Sequence, residues 1–325
     1  MQRLLFILLA VLFVKIGISQ QMPIFTNTLF SQQYNNPATM IINSNKRFSL
    51  NSSLSATGYS DAPKSYTVSY VHPFALDNKN LHMPSFDFGR QLIPKRYNHA
   101  FGAYMMYDSY GSINQLSAML SYSQSFTFDK YTYIAFGLST GIYSYGVDYS
   151  KLTIKEKNDN TFAQFQNAAS NLIYWDANFG FLAKHKNYKF EFAMKQFLAD
   201  KAKLSNEDID AEIKQSYYIS TQAVYKIATD VHIAPRVEYY KTKSLPYNLN
   251  VKLPFIYRDR WLASLNYQHN RSVGFGIGFI YNFIIINYSF QYNTSMYSYI
   301  GNTNNELGVI LLINRRKSIT FNDIF

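Results

Sequence analysis

The side chains best suited to metal ligation or proton transfer are six histidines: His72, His82, His99, His185, His232 and His269. They are scattered, with no pair at metal-binding spacing and no H-E-x-x-H, so they read as lining residues and not as ligands. The acidic run Glu207, Asp208, Asp210 and Glu212 loosely resembles a calcium loop, but it lacks the glycine and the closing acid of an EF-hand and reads as a solvated face. Gly274, Gly276 and Gly278 give G-x-G-x-G, a spacing that can cradle phosphate where it opens a helix. Here it lies inside an alternating run, so that reading fails on context. Gly137-Leu138-Ser139-Thr140-Gly141 has the G-x-S-x-G spacing, but it also lies inside an alternating run and not at a strand-to-helix turn, so it makes no nucleophile elbow. With no cysteine, disulfides, thiolate metal sites, iron–sulfur clusters and cysteine nucleophiles are excluded together. The expectation is a protein that is not an enzyme and has no catalytic, metal or cofactor site.

Chemistry of the binding kind must instead be positioned by the elements, and composition indicates which. Tyr (29) and Phe (26) dominate an 18% aromatic fraction, while charged residues reach 16%, against about 25% in soluble domains. Something other than charge must cover this surface. The excess of 31 basic over 20 acidic side chains would permit contact with nucleic acid or an anionic membrane. Export decides between them. Gln2 and Arg3, the apolar run 4–14 and the small residues Gly17 and Ser19 describe a signal peptide over 1–19, cleaved after Ser19. Nucleic acid is therefore not expected as a partner.

Beyond Ser19 the dominant period is two. Val273, Phe275, Ile277, Phe279 and Tyr281 share one parity, with three glycines on the other. Strand side chains alternate between faces, so one face is oily and the other bare. Elsewhere Tyr188, Phe190, Phe192 and Met194 oppose Lys189, Glu191 and Lys195; Ile173, Trp175, Phe179 and Phe181 oppose Tyr174, Asp176, Asn178 and Gly180. Charges stay on the second face. Strands are expected at 47–57, 64–74, 98–108, 114–127, 131–144, 172–184, 187–197, 215–227, 230–242, 247–256, 259–269, 273–281, 284–293 and 305–314. The weakest is 247–256, where Lys252 and Pro254 interrupt the pattern. Fourteen is even, as in bacterial single-chain outer-membrane barrels, and each segment is near the roughly 9–11 residues a tilted strand needs to cross. The fold class expected is all-β: a transmembrane antiparallel β-barrel over 46–314 lying in the lipid bilayer. A secreted β-sandwich, hiding its oily parity between two sheets, is the soluble alternative.

With both chain ends in the periplasm, the long connections 145–171, 198–214 and 294–304 fall outside the cell, and those around Asp129, Lys186, Thr229, Arg258 and Asn282 are short. The connection 75–97 breaks this rule. It carries Lys79, Arg90, Lys95 and Arg96 with Pro84 and Pro94, a rigid basic surface on which a periplasmic partner could dock. Residues 20–45, rich in Gln, Asn, Thr and Ser with Pro23 and Pro37, read as an irregular segment that could enter the lumen from below and plug it. A basic tail, 315–325, closes the chain.

Gln21-Met22-Pro23-Ile24-Phe25-Thr26, followed by Asn36-Pro37-Ala38, resembles the opening of the PorP/SprF family of type IX secretion outer-membrane proteins, Q-x-P-x-[FY]-[ST] and then N-P-A. Ala62-Pro63-Lys64-Ser65 is similar to its G-A-P-K-T segment, and Tyr107-Asp108-Ser109-Tyr110-Gly111 to its N-D-x-x-G turn. Phe136-Gly137-Leu138 and the stretch from Tyr145 to Leu152 resemble its F-G-L strand and the D-Y-S-K-L that follows, and Asn305-Glu306-Leu307 lies where it has G-S-H-E and a hydrophobic residue. The family's tryptophan before the A-P-K segment is missing, and G-S-H is reduced to Thr303-Asn304-Asn305. The resemblance implies an outer-membrane barrel of a Gram-negative bacterium serving the secretion and gliding apparatus. Such a barrel would bind a secreted adhesin or its carboxy-terminal signal domain, or link the membrane to periplasmic motor and peptidoglycan-binding subunits. Asn36, Pro37 and Ala38, with the basic residues of 75–97, are the candidate partner-binding residues. The alternative is a diffusion channel or small-molecule transporter: Lys189, Glu191, Lys195, His232, Arg236 and Glu238 put both charge signs on the inner face, which suits either a selective pore or a bonded plug.

Overall fold

The computed structural model describes residues 23–42, 45–57, 61–74, 99–129, 131–148, 151, 171–198, 214–243, 245–294 and 302–313. Within them the chain forms β1 (Lys46–Ser55), β2 (Lys64–Phe74), β3 (His99–Tyr110), β4 (Ile113–Thr127), β5 (Thr132–Val147), β6 (Asn171–His185) and β7 (Tyr188–Lys195). There follow β8 (Ser216–Ala223 and Tyr225–Ala228), β9 (Val231–Ile233 and Arg236–Thr242), β10 (Tyr247–Tyr257), β11 (Trp261–Gln268), β12 (Ser272–Tyr281), β13 (Ile284–Asn293) and β14 (Thr303–Ile313). Each strand pairs antiparallel with its neighbours in sequence, and β14 pairs with β1 from Lys46↔Ile313 to Ser55↔Asn304. The sheet therefore closes, with no edge left to pair with another chain. A sandwich is excluded. Sixteen hydrogen-bonded segments make fourteen strands among the described residues, because β8 and β9 are each interrupted once.

The interruptions have a common cause. Pro235 and Pro254 lack the amide hydrogen that a ladder needs. The carbonyl of Pro235 accepts from Ala223 N and that of Pro254 from Ala234 N, both at 3.0 Å, so each missing donor faces the same neighbour that its carbonyl does. β8 breaks at Val224, next to Ala223, which faces Pro235, and β9 breaks at Ala234-Pro235, where Ala234 faces Pro254. The strands expected unbroken at 215–227 and 230–242 are corrected accordingly. The strand expected to be weakest, 247–256, is continuous to Tyr257 because Pro254 faces this gap. Several boundaries also shift by two or three residues: among them, β5 runs on to Val147, and β7 stops at Lys195, where Gln196 adopts φ +56.

The two faces separate as the alternation requires. Leu120, Leu138 and Ile277 are 58–69% exposed, whereas Ser121, Ser139 and Ser289 on the opposite parity are 1–4% exposed. Exposed aromatics such as Tyr131, Tyr188, Trp261 and Tyr281 gather at the end with the short turns, and Tyr107, Trp175, Tyr247 and Tyr292 at the other end. Two aromatic belts around an apolar band are the signature of strands crossing a bilayer. The short-turn end is the periplasmic one on the same principle.

The lumen holds the chain's own residues 23–42. A single helical turn, α1 (Gln32–Asn35), and a 3₁₀ turn (Pro37–Ile41) are joined by Asn36 in extended conformation, with its side chain capping Ala38 N. Pro37 suits the first position of the second turn, where its missing donor costs nothing. This plug packs its apolar residues at the periplasmic end, Phe30 against Ile256, Ile285 and Ile310, and Ala38, Met40 and Ile41 against Val71, Ala135 and Leu182. Phe30 and Met40 are 3% and 0% exposed, and each contributes about 1.5–3 kcal/mol by leaving water.

Candidate functional site

Above the apolar seal lies a buried ionic cluster built by strand register. Lys189↔Gln222 and Glu191↔Ser220 pair β7 with β8, Gln222↔Arg236 and Ser220↔Glu238 pair β8 with β9, and Arg236↔Lys252 pairs β9 with β10. Directly opposed residues share a face, so five charged side chains meet in the lumen. Glu191 takes Lys189 at 3.1 Å and Arg236 at 2.9 Å; Glu238 takes Arg236 at 2.7 Å and Lys252 at 2.8 Å. Tyr218 Oη accepts from Arg236 at 2.5 Å and Gln222 Oε1 accepts at 2.8 Å, so every guanidinium hydrogen is used. All five charged residues are at most 5% exposed. Charges taken this far out of water persist only when fully paired.

The plug completes that pairing. Thr28 Oγ1 donates to Glu238 at 2.8 Å, and Lys252 donates to Phe25 O at 3.2 Å and also to Thr28 Oγ1. Glu306, on β14, accepts from Thr26 N at 2.7 Å, Asn27 N at 2.9 Å and Asn51 Nδ2 at 2.7 Å. Two of these three donors belong to plug backbone.

Asn36, Pro37 and Ala38 sit against the opposite wall, all buried. Asn36 Nδ2 donates to Phe181 O at 3.0 Å, while its Oδ1 accepts from Ala38 N at 3.0 Å. Gly137 and Gly180 make this approach possible: a Cβ at Gly137 would lie 2.5 Å from Pro37 C, and one at Gly180 would lie 2.9 Å from Ala38 N. The bare parity is thus close packing and not empty space. These three residues are taken up by the barrel that carries them.

A family model described as type IX secretion system membrane protein PorP/SprF matches residues 18–309. The chain belongs to the PorP/SprF family. It is an integral outer-membrane protein of the type IX secretion system kind. Solved structures of similar shape include the toluene transporter TbuX of Ralstonia pickettii, with 9% identity over 87% of this chain and 92% of that one and a TM-score of 0.49. The toluene transporter TodX of P. putida gives 11% identity, coverage of 89% and 94%, and 0.48. A FadL homologue of Pseudomonas aeruginosa gives 11%, 87% and 94%, and 0.47. Among curated proteins none matches the chain.

In this PorP/SprF protein His82 lies outside the described residues, and the described histidines form no cluster. His99 shares a 2.7 Å hydrogen bond with Tyr122, His185 one with Thr132 at 2.7 Å, and His232 lies opposite Ile256 on the lumen parity. Among the described residues no group of three or more His, Cys, Asp or Glu could hold a metal ion. Lys79, Arg90, Lys95 and Arg96, the acidic run 207–212, the segment 1–19 and the tail 315–325 lie outside the described residues. Lys189, Glu191, Arg236 and Glu238 come together as one cluster. Sequence reasoning missed Lys252, Glu306 and Thr28 as their partners. Lys252 carried a usable signal, since it shares parity with Asn250 and Ile256 on the inner face, and Glu306 had one in the family's G-S-H-E position.

Proposed function

We propose that this protein is a sealed binding and assembly barrel of the type IX secretion and gliding apparatus, not a conduit. It would hold a secreted adhesin or its carboxy-terminal signal domain, or tie the outer membrane to periplasmic motor and peptidoglycan-binding subunits. The observation that carries this reading is the filled lumen: residues 23–42 are built into the wall by hydrogen bonds to buried carboxylates, by backbone hydrogen bonds and by apolar contacts. A barrel that spends its interior on its own chain has its surfaces and connecting segments left for partners. The basic connection with Lys79, Arg90, Lys95 and Arg96 supports a periplasmic contact through its charge. Residues 1–19 would be removed on export.

Affinity capture of the tagged, full-length protein from its own envelope after in-cell crosslinking tests this. Recovery of type IX subunits or of a secreted adhesin is the expected result, reduced when Lys79, Arg90, Lys95 and Arg96 are changed together to Gln. Recovery of neither, from cells that secrete normally, would contradict it.

A further inference from the structure

Between plug residues 26–32 and the wall formed by β8 to β11 lies a cavity of about 70 Å³. Asn27, Thr28 and Phe30 line it from the plug, and Gln222, Leu262 and Ser264 from the wall. Roughly 10–15 Å³ of such room holds one water, so the cavity takes a group of about four heavy atoms and nothing much larger.

Its polar lining offers donors. Asn27 and Gln222 are 8% and 3% exposed, and among the described residues neither Asn27 Nδ2 nor Gln222 Nε2 has a hydrogen-bond partner. Their oxygens are engaged: Gln222 Oε1 accepts from Arg236 at 2.8 Å, and Asn27 Oδ1 from Ser289 Oγ at 2.6 Å. A guanidinium only donates, so the Gln222 amide cannot be turned to present its oxygen to the cavity. Ser264 Oγ accepts from Asn266 Nδ2 at 3.2 Å and keeps its own hydrogen for the cavity. Buried donors left unpaired are costly, and these come from plug and wall alike. Arg236 and Lys252 also line the cavity, and no carboxylate does. Their hydrogens are spent on Glu191, Glu238, Tyr218, Thr28 and other acceptors, so they act on an occupant through their field. A water would meet the free donors but bring two hydrogens of its own to amide oxygens already engaged. An anion only accepts.

We propose that this cavity binds a small monovalent anion, of chloride to nitrate size, held by Asn27 Nδ2, Gln222 Nε2 and Ser264 Oγ. A dianion such as sulfate would carry a second charge out of water with no further cation to meet it. Because the donors belong to both plug and wall, the ion ties one to the other, and its binding stabilises the seated plug by mass action. This goes beyond the assembly role and stands whichever partner that role involves.

The test is the urea midpoint for loss of heat-modifiable migration, measured on the full-length protein in detergent while chloride replaces gluconate at fixed ionic strength. Gluconate is monovalent but too large for the cavity, so general screening stays constant. The midpoint is expected to rise with chloride, and with nitrate, to a plateau; salting-out by an excluded salt has no plateau. Gln222→Leu is expected to lose the rise. Should that variant not assemble, Ser264→Ala carries the test by needing several-fold more chloride for half the effect. Crystals of the full-length protein grown in bromide are expected to show anomalous scattering against Asn27 Nδ2 and Gln222 Nε2. No dependence on chloride, a rise without a plateau, a rise unchanged in the variant tested, or no bromide at the two amides would overturn the proposal. Bromide present there without a saturable rise would show an adventitious ion only, and would overturn it equally.

Discussion

Glu238 joins the wall to the plug, receiving Arg236, Lys252 and Thr28 at 2.7–2.8 Å with no exposure of its own. Glu238→Gln leaves two buried cations short of an anion, and removing one member of such a group costs about 3–5 kcal/mol. The expected outcome is a lower midpoint for loss of heat-modifiable migration in urea, with part of the loss recovered in Glu238→Gln/Lys252→Met because one uncompensated cation is gone. Gly137 makes a different demand. Gly137→Val drives a branched side chain into the Pro37-Ala38 backbone and is expected to displace the plug while leaving the barrel closed. Chymotrypsin then cleaves after Phe25, Phe30 or Tyr34, sites that are buried in the parent protein. Gly111→Ala is the contrast: its Cβ meets nothing, but φ is +58, so it costs about 1 kcal/mol and leaves the plug resistant. The contacts at stake here were the least legible in the sequence. Thr26 reaches Glu306 across 280 residues, and no local spacing reports such a pair. The N-P-A motif stood out by resemblance, but its docking on Gly137 and Gly180 depended on where β5 and β6 lie relative to the lumen.

The strands were legible because lipid and lumen make opposite demands on alternate residues, and Phe275, Ile277 and the three glycines of β12 show this directly. Their interruptions were not. Pro235 and Pro254 are 19 positions apart in the chain, and only the register places both at one dislocation. β8 beyond Val224 and β9 before Ala234 survive as pieces of four and three residues, with Tyr225–Ala228 exposed throughout. Amide hydrogen exchange of the whole protein in detergent is expected to be fastest, among the described strands, at 225–228 and 231–233. It is expected to be slow in β13 and β14, which are paired on both sides for nine or more positions. Uniform protection around the ring would show that the prolines do not weaken it.

At the scale of the whole molecule, the fourteen strands and residues 23–42 form one object: a barrel whose lumen charges pair with one another and whose own amino-terminal segment hydrogen-bonds to them and fills the space. The mixed charge of Lys189, Glu191, Arg236 and Glu238 was equally compatible with an open pore when read from sequence, because parity locates a residue on the inner face without saying what it meets there. Family membership places the barrel in type IX secretion, and the filled lumen favours holding over passage. Planar-bilayer recording therefore tests the account most directly. The full-length protein is expected to insert without stable conductance, and the variant lacking residues 20–42 to open steps of constant size. Stable channels in the full-length protein, unchanged by removal of that segment, would contradict it.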